Sequence, residues 1–169
     1  MKSGAKIGSV INLRALCFYL SIISTLGCSA LKGEIIEGRV IEIHDGDSIT
    51  LLTRRNQQIK VRMVNIDSPE LGQEHAAASK AALAAKVFGE KVTVKSQGRD
   101  HFGRVLGAVL LRGENVNLWM VKQGYSWCYK AYSNDIDFYN AEIRARKEKA
   151  GLWKSPIHPI PPWEFRKID

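Results

Sequence analysis

Three strand patterns that follow one another with only short turns between them limit the fold of this chain more than any other feature. "IIEGRVIEI" (Ile35–Ile43), "SITLLT" (Ser48–Thr53) and "QIKVRMVNI" (Gln58–Ile66) read as strands, and four residues separate each from the next. A crossover between parallel strands needs about a dozen residues or more. The three strands are therefore expected to be antiparallel neighbours, which argues against a doubly wound parallel sheet.

The rest of the chain adds three helices and two further strands. Residues 74–89 are rich in alanine and end at a glycine, as helices often do. Residues 91–96 and 105–111 predict strands, and residues 115–124 and 137–153 predict helices. Five strands with a helix after the third predict an α+β fold: a five-stranded oligonucleotide-binding (Greek-key) β-barrel with three α-helices.

The first thirty residues have the order of a signal peptide. Lys2, Lys6 and Arg14 precede the apolar run "ALCFYLSIISTLG" and then the small residues "CSA". The run is short for a membrane span. We therefore expect residues 1–30 to be removed and the protein to be exported, to the periplasm or the outside of the cell. The formal net charge of +8 would then fall by three to +5.

Cysteine usage agrees with a domain that has no internal disulfide. Cys17 and Cys28 lie in the expected leader, so Cys128 alone would remain. "TLGC" partly resembles the bacterial lipidation motif, which leaves anchoring through Cys28 as an alternative. Thr25 stands where that motif usually has leucine, and cleavage after Ala30 is preferred. The folded body is then expected over residues 31–154.

Residues 155–169, here called the C-terminal strap, differ in composition from the body. "SPIHPIPPWEFRK" contains four of the five prolines of the chain. Proline fixes its own φ and removes a backbone donor, which disfavours helix and sheet. The strap is predicted to be extended and to lie over the body.

Four acids lie close together in a chain that is basic as a whole. Asp45 and Asp47 lie in "HDGDSITLL", and Asp67 and Glu70 lie in "NIDSPE". If the hairpin turns near residues 55–56, Asp47 lies opposite residues 64–65 and the four acids meet at one open end. Such a cluster repels itself unless a cation binds there, and carboxylates suit a hard ion such as Ca²⁺ or Mg²⁺.

Each of these motifs also has an ordinary structural explanation. Asp-Gly is a common turn dipeptide, and a turn is the favoured explanation for Asp45. In "SPE", Ser68 and Pro69 are suitable for the start of a helix. Arg62 and Arg104 favour a metal and phosphate site over these structural explanations, because guanidinium groups beside a hard metal neutralise charge on a phosphoryl centre.

Several motifs together resemble one family. "DGDSITL", "VRMVNIDSPE", "DHFGRVLGAVL", "VKQGYSW" and "ARKEKAGLW" occur in the order and spacing of the staphylococcal (thermonuclease-like) nucleases, from about Ile35 to Trp153. The resemblance implies a nuclease domain over residues 31–154 that cuts DNA and RNA with Ca²⁺. It also implies roles for single residues: Asp47, Asp67 and the carbonyl of Ser68 as metal ligands, Glu70 as general base, and Arg62 and Arg104 as phosphate-binding catalytic groups.

The resemblance is less regular at the expected substrate contacts. His101 and Phe102 replace a Lys-Tyr pair beside the nucleotide site. Tyr132 stands where a base-stacking tyrosine is expected, whereas Lys130 holds the other such position and Tyr129 is one residue away. Trp127, in the same aromatic segment, is expected to pack in the core.

The sequence thus predicts an exported, Ca²⁺-dependent endonuclease for DNA and RNA. It is expected to prefer single-stranded or frayed substrate, because unpaired bases can stack on the aromatic side chains of the protein. It is expected to be a monomer whose mature domain is not inserted in a membrane. A non-catalytic nucleic-acid-binding barrel is the alternative, and an exported Ca²⁺-binding structural protein is a second one. The first predicts loss of the acids or arginines, and the second has no need of Arg62 and Arg104.

Overall fold

A computed structural model describes residues 33–155 and 159–168 of the 169-residue chain. The predicted signal peptide and the possible lipidation site lie outside the described residues. Eight strands are present in the described part: β1 (Ile35–Ile43), β2 (Ser48–Thr53), β3 (Gln58–Met63), β4 (Ile66–Asp67), β5 (Lys91–Arg99), β6 (Val105–Leu111), β7 (Glu114–Asn115) and β8 (Trp127–Cys128). The helices are α1 (Ala76–Val87), α2 (Val116–Lys122), α3 (Ile136–Lys147) and α4 (Pro162–Phe165), with a 3₁₀ turn at Gly151–Lys154.

The five long strands form a closed barrel, which confirms the predicted fold class. Strands β3, β2, β1, β5 and β6 are antiparallel neighbours in that order; short turns account for β1–β2, β2–β3 and β5–β6, whereas β1 and β5 are distant in the chain. The barrel closes where β3 and β6 pair in parallel, with Val61 opposite Val105 and Met63 opposite Gly107. This closing contact places the end of β3 beside the start of β6, and both strand ends contribute residues to the site described below.

The barrel interior is filled by the alternate residues of its strands. In β1 and β6 buried and more exposed positions alternate, as expected where one face of a strand meets the core. The fully buried side chains from the five long strands are apolar; they include Val40, Ile49, Leu51, Val61, Met63, Val94, Val105 and Val109. Helix α1 places Leu83 and Val87 in the same core.

The three predicted helices are present; α1 and α2 are shorter at both ends than their sequence patterns, and α3 ends earlier than its pattern. Gly89 follows α1 with φ 76° and Gly124 follows α2 with φ 71°, a backbone conformation that glycine adopts without strain. The side chain of Asn115 accepts from Leu118 N at the start of α2, and that of Asp135 accepts from Asp137 N at the start of α3.

The third strand ends earlier than its pattern predicts. β3 stops at Met63, because Asn65 takes a positive φ of 68° and turns the chain. The next two residues form β4, which pairs with β8 so that Asp67 lies opposite Trp127. The two-residue strands have too few residues to show a periodic pattern, and the sequence did not reveal them.

The described part of the C-terminal strap is not fully extended, because residues Pro162–Phe165 form one helical turn, α4. A proline at the first helical position is compatible with this, since its missing N–H would have no intrahelical partner there. Trp163 packs on a second apolar cluster formed by Trp127, Ala145, Leu152 and Trp153, where Trp127 is buried as expected. Within residues 33–155 and 159–168 no helix combines the length and apolarity that crossing a bilayer requires.

Candidate active site

A cavity of about 600 Å³ opens at the end of the barrel where β2, β3 and β6 meet. Its walls carry both sets of residues that the sequence singled out, the acids and the arginines. The lining includes Asp45, Asp47, Arg62, Asp67, Ser68, Glu70, Asp100, His101, Arg104, Tyr129, Tyr132 and Arg166. Residues from five separate segments of the chain therefore face one volume.

Asp47 is fixed by both its backbone and its side chain. Met63 donates its N–H to the carbonyl of Asp47 over 2.8 Å, one residue before the position expected from the hairpin. Ser68 donates its N–H to Oδ2 of Asp47 over 2.7 Å. Asp45 serves the turn, as expected, because its Oδ1 accepts from Asp47 N over 2.8 Å.

Gly46, between these two aspartates, is required by packing as well as by the turn. A Cβ atom at this position would lie 1.9 Å from Ser79 Oγ and 2.7 Å from Ser68 Cβ. Any side chain there would displace the loop that carries Ser68, or the helix α1 that carries Ser79. The "DGD" motif therefore brings the first acid segment into direct contact with the second.

Arg62 lies between the two buried aspartates. Its Nε is 3.1 Å from Asp47 Oδ1, and its Nη2 donates to Asp67 Oδ1 over 2.9 Å. Its Nη1 donates to the carbonyls of Met63 and Ile66 over 2.7 and 3.0 Å. A guanidinium has five N–H groups. The Nη1 bonds therefore tie Arg62 to the backbone, and the contacts of Nε and Nη2 hold the two acids in place.

Asp67 and Ser68 depend on a strand pair that the sequence did not reveal. The short β4–β8 pairing holds Asp67 against Trp127, and Ser68 Oγ lies 2.6 Å from Ser126 Oγ. The buried Glu142 of α3 accepts from Cys128 N over 2.8 Å and so fixes β8 from the other side. Ser68 and Pro69 precede α1 by several residues, so the alternative of a helix start at "SPE" is wrong.

Glu70 lies at the entrance of the cavity, where its side chain is 37% exposed. Its carboxylate pairs with Arg166 of the C-terminal strap, which also pairs with Asp67 over 2.7 Å. Nothing in the sequence indicated Arg166, since it lies ninety-six positions from Glu70 and no local pattern connects them.

Arg104 faces the cavity from the turn between β5 and β6. Its Nε donates to Asp100 Oδ2 over 2.7 Å, and Asp100 Oδ1 also accepts from the backbone N–H of Arg104 and of Phe102. Burial alone would raise the pKa of Asp100, but the hydrogen bonds and charge of Arg104 hold it below its ordinary value. Asp100 thus anchors Arg104 through Nε, and the two outer nitrogens of the guanidinium take no part in that hydrogen bond. The turn pattern "DHFG" carried a signal for Asp100 that the sequence analysis did not use.

The expected substrate contacts divide into two groups. Tyr129, Tyr132 and His101 line the cavity, and the two tyrosine rings are 5.0 Å apart. Phe102 instead lines a neighbouring depression with Lys60 and Arg99, and its side chain is largely exposed. Lys130 is outside the cavity lining and lies 5.8 Å from the ring of Tyr139. The structure therefore brings Tyr129 to the site in place of Lys130.

The acids that line the cavity outnumber the arginines that line it, so their negative charge is only partly neutralised. The pKa of Asp47 is raised to about 7, chiefly by burial and also by the charges of Asp45 and Asp67, while Arg62 acts to lower it. A buried carboxylate that resists ionisation in this way gains stability from an added cation. Carboxylate oxygens beside backbone carbonyls are the donor set of a hard divalent ion.

In the structure, arginine guanidinium groups bind the carboxylate oxygens of these aspartates. Within the described ranges, no group of three or more His, Cys, Asp and Glu side chains has the arrangement of a metal site. Arg62 and Arg166 together contact both oxygens of Asp67. The chemistry of the donors fits Ca²⁺, which would bind at oxygens that the two guanidinium groups also contact.

The comparisons with known proteins agree with this geometry. The family model described as "Staphylococcal nuclease homologue" matches residues 60–155, which include Arg62, Asp67, Glu70 and Arg104. An "Uncharacterized endonuclease" of Haemophilus influenzae is 39% identical over 158 residues, covering 94% of this chain and 88% of that protein.

Two further relatives are of similar length. An "Uncharacterized endonuclease" of Escherichia coli is 40% identical over 132 residues, covering 78% of this chain and 85% of its own. A "Micrococcal nuclease" of Shigella flexneri is 36% identical over 141 residues, covering 77% and 80%. This chain belongs to the staphylococcal nuclease family and is a nuclease, a hydrolase built on an oligonucleotide-binding barrel.

Proposed function

We propose that this nuclease is an exported, Ca²⁺-dependent endonuclease that hydrolyses DNA and RNA and prefers single-stranded or frayed substrate. The observation that carries the proposal is the arrangement of Arg62 between Asp47 and Asp67, with Glu70 at the entrance of the same cavity. Buried carboxylates for a cation, an accessible carboxylate and a phosphate-binding arginine are the groups that phosphodiester hydrolysis requires.

The proposed mechanism assigns a separate task to each side chain. Glu70 accepts a proton from the water that attacks phosphorus, because its side chain is 37% exposed whereas Asp47 and Asp67 are buried. Arg104 binds phosphate oxygens through its outer nitrogens, since Asp100 holds only Nε. Arg62 adds positive charge in the same cavity. Both arginines stabilise the negative charge that accumulates as the phosphorus becomes pentacoordinate.

Asp47, Asp67 and the carbonyl of Ser68 would hold the calcium ion. When bound there, Ca²⁺ would supply positive charge beside the phosphate and lower the energy of the developing charge. Arg62 would keep the two aspartates in position, and the Ser68 N–H would continue to orient Asp47 through its 2.7 Å hydrogen bond.

The preference for single strands rests on the aromatic side chains. Tyr132 is 76% exposed and Tyr129 lies beside it at the cavity wall. Bases stack on such rings without a strong sequence preference, provided that they are not paired with a second strand. A non-catalytic nucleic-acid-binding barrel is less well supported, because both acids, Glu70 and both arginines face one cavity.

Digestion assays test the proposal directly. Purified protein should degrade single-stranded DNA and RNA in Ca²⁺, degrade duplex DNA more slowly, and stop when a chelator is added. Mg²⁺ should serve poorly, because it demands tight octahedral geometry. Equal turnover in Ca²⁺ and in chelator would show that the calcium assignment is wrong.

Export is proposed on the sequence alone, from the basic start, the apolar run and the small residues of positions 1–30. The mature protein should begin at Leu31 after standard cleavage, or at a lipid-modified Cys28 if the lipidation motif is used. Intact mass and N-terminal sequencing of protein from a native-type host distinguish these two. Full-length protein recovered from the cytoplasm alone would contradict both.

A further inference from the structure

The C-terminal strap reaches into the acidic cluster of the candidate active site. Arg166 Nη2 donates to Asp67 Oδ2 over 2.7 Å, and Nη1 lies 3.3 Å from Asp67 Oδ1. The same Nη1 donates to Glu70 Oε1. One guanidinium therefore pairs with the buried acid proposed to hold the metal and with the acid proposed to activate water.

Other contacts of the strap hold Arg166 in this place. The ring of Trp163 stacks on Tyr129, with 5.7 Å between centroids and 18° between planes, and meets Trp127 edge-on at 6.5 Å. Gln73, in the loop after Glu70, donates its side-chain N–H to the carbonyl of Ile160. The strap thus covers one face of a proposed base-stacking ring while its arginine contacts the acids.

Arg166 and a divalent cation compete for the same oxygens. Asp67 is 1% exposed, and both its oxygens already accept hydrogen bonds, from Arg62 at Oδ1 and from Arg166 at Oδ2. A Ca²⁺ ion binds carboxylate oxygens at about 2.3–2.6 Å and would lie next to a guanidinium of like charge. The two cations are therefore not expected to share Asp67.

We propose that the C-terminal strap is an internal competitor of calcium, and this rests on the proposed calcium-dependent function. Arg166 binds Asp67 and Glu70 until Ca²⁺ displaces it, and the release of the strap uncovers Tyr129 for substrate. While Arg166 is in place, Oε1 of Glu70 accepts from a guanidinium, and the positive charge makes the carboxylate a poorer base. The nuclease is thus held inactive where Ca²⁺ is scarce.

The Glu70 half of the contact is open to solvent, whereas Asp67 is buried. The side chains of Arg166 and Glu70 are 41% and 37% exposed, so this pair contributes little to stability, and the pair with Asp67 is the one that Ca²⁺ has to replace. The helix of the strap is a single turn, Pro162–Phe165, which is too short to be stable without its contacts. A modest change in cation concentration can therefore shift the balance between the bound and released strap.

Calorimetric titration with CaCl₂ tests the competition without relying on turnover. Arg166→Ala should bind Ca²⁺ with a dissociation constant about tenfold lower than the unchanged protein, as expected if the strap is bound for about nine-tenths of the time. Lys167→Ala is the matched control, because it removes the same charge from the next residue, which does not line the cavity. Its affinity for Ca²⁺ should equal that of the unchanged protein.

Hydrogen exchange reports the release of the strap itself. The N–H groups of Phe165, Arg166 and Lys167 bond within the turn, to the carbonyls of Pro161, Pro162 and Glu164. In the unchanged protein these amides should exchange about tenfold faster at saturating Ca²⁺ than in chelator. In Arg166→Ala they should exchange fast in both conditions. Arg166→Gln, which keeps a polar side chain, should behave in the same way if Arg166→Ala proves poorly folded.

The possible failures are distinguishable. Two results would overturn the competition and leave the calcium site intact. One is Ca²⁺ binding of equal or weaker affinity in Arg166→Ala, and the other is an exchange rate of the strap amides that does not change with Ca²⁺. Absence of Ca²⁺ binding in every variant would overturn the calcium assignment and the competition with it.

Discussion

Ser68 donates its backbone N–H to Oδ2 of Asp47 over 2.7 Å, although the two residues are 21 positions apart in the chain. The bond joins the start of β2 to the loop after β4. Because Asp67 immediately precedes Ser68, the same bond also sets the separation of the two buried aspartates. The candidate site is therefore one connected unit, and changes on either side should affect both.

Glu70→Gln is expected to separate catalysis from metal binding. Glutamine keeps the size and hydrogen-bonding reach of glutamate but does not accept a proton at neutral pH. The cleavage rate should fall by about 10²–10⁴-fold, while Ca²⁺ binding measured by calorimetry remains near that of the unchanged protein. Glu74→Gln, an exposed neighbour paired with His75, is the matched control and should cleave normally.

Asp47→Asn should give the opposite pattern. Its loss of charge removes a proposed metal ligand, so Ca²⁺ affinity should fall and excess Ca²⁺ should restore part of the rate. If Glu70→Gln also regains its rate in excess Ca²⁺, Glu70 is a metal ligand and the base is another group.

Arg104→Ala and Arg62→Ala should each reduce kcat by about 10²-fold or more, because both are proposed to stabilise charge in the transition state. Arg62→Ala should also destabilise the fold, since it removes the partner of two buried aspartates. Arg112→Ala, an exposed arginine paired with Glu90, is the control. Single-turnover cleavage and urea denaturation of the three variants provide the comparison; a folded Arg104→Ala with normal turnover would refute its role.

Gly46→Ala is expected to damage the site through packing. The new Cβ would lie 1.9 Å from Ser79 Oγ and 2.7 Å from Ser68 Cβ, so the loop or the helix has to move. Overpacking of this kind costs about 1–3 kcal/mol of unfolding free energy. Activity should fall as well, because Ser68 orients Asp47. Adding Ser79→Ala removes the nearest atom and should recover part of the stability in a double-mutant cycle; strictly additive effects would disprove the clash.

Asn117→Ala should be among the most destabilising polar substitutions. The buried side chain accepts from Val109 N over 3.0 Å and donates to the carbonyls of Val64 and Gly107 over 2.9 and 3.2 Å. Leaving these groups without partners should cost about 3 kcal/mol or more in urea denaturation. Asn115→Ala, which removes only the cap of α2, should cost about 1 kcal/mol. Equal losses for the two asparagines would contradict this account.

Much of the fold could be predicted because its signals are local. Period-two patterns and four-residue turns in residues 35–66 are properties of adjacent residues, and they specify an antiparallel meander whatever the rest of the chain does. The same hairpin geometry brought Asp47 close to the chain near Asn65, an error of one position against the observed Met63 contact.

The sequence by itself determined the strands of the barrel, the acids and the arginines that face its open end, because short turns and side-chain alternation specify them. Only the tertiary structure decided how the barrel closes between β3 and β6, which residues support Asp67 from β8, and whether Tyr129 or Lys130 faces the cavity. It alone also brought Arg166 to Glu70. These contacts join segments that are distant in the chain, and packing, rather than any local pattern, selects their partners.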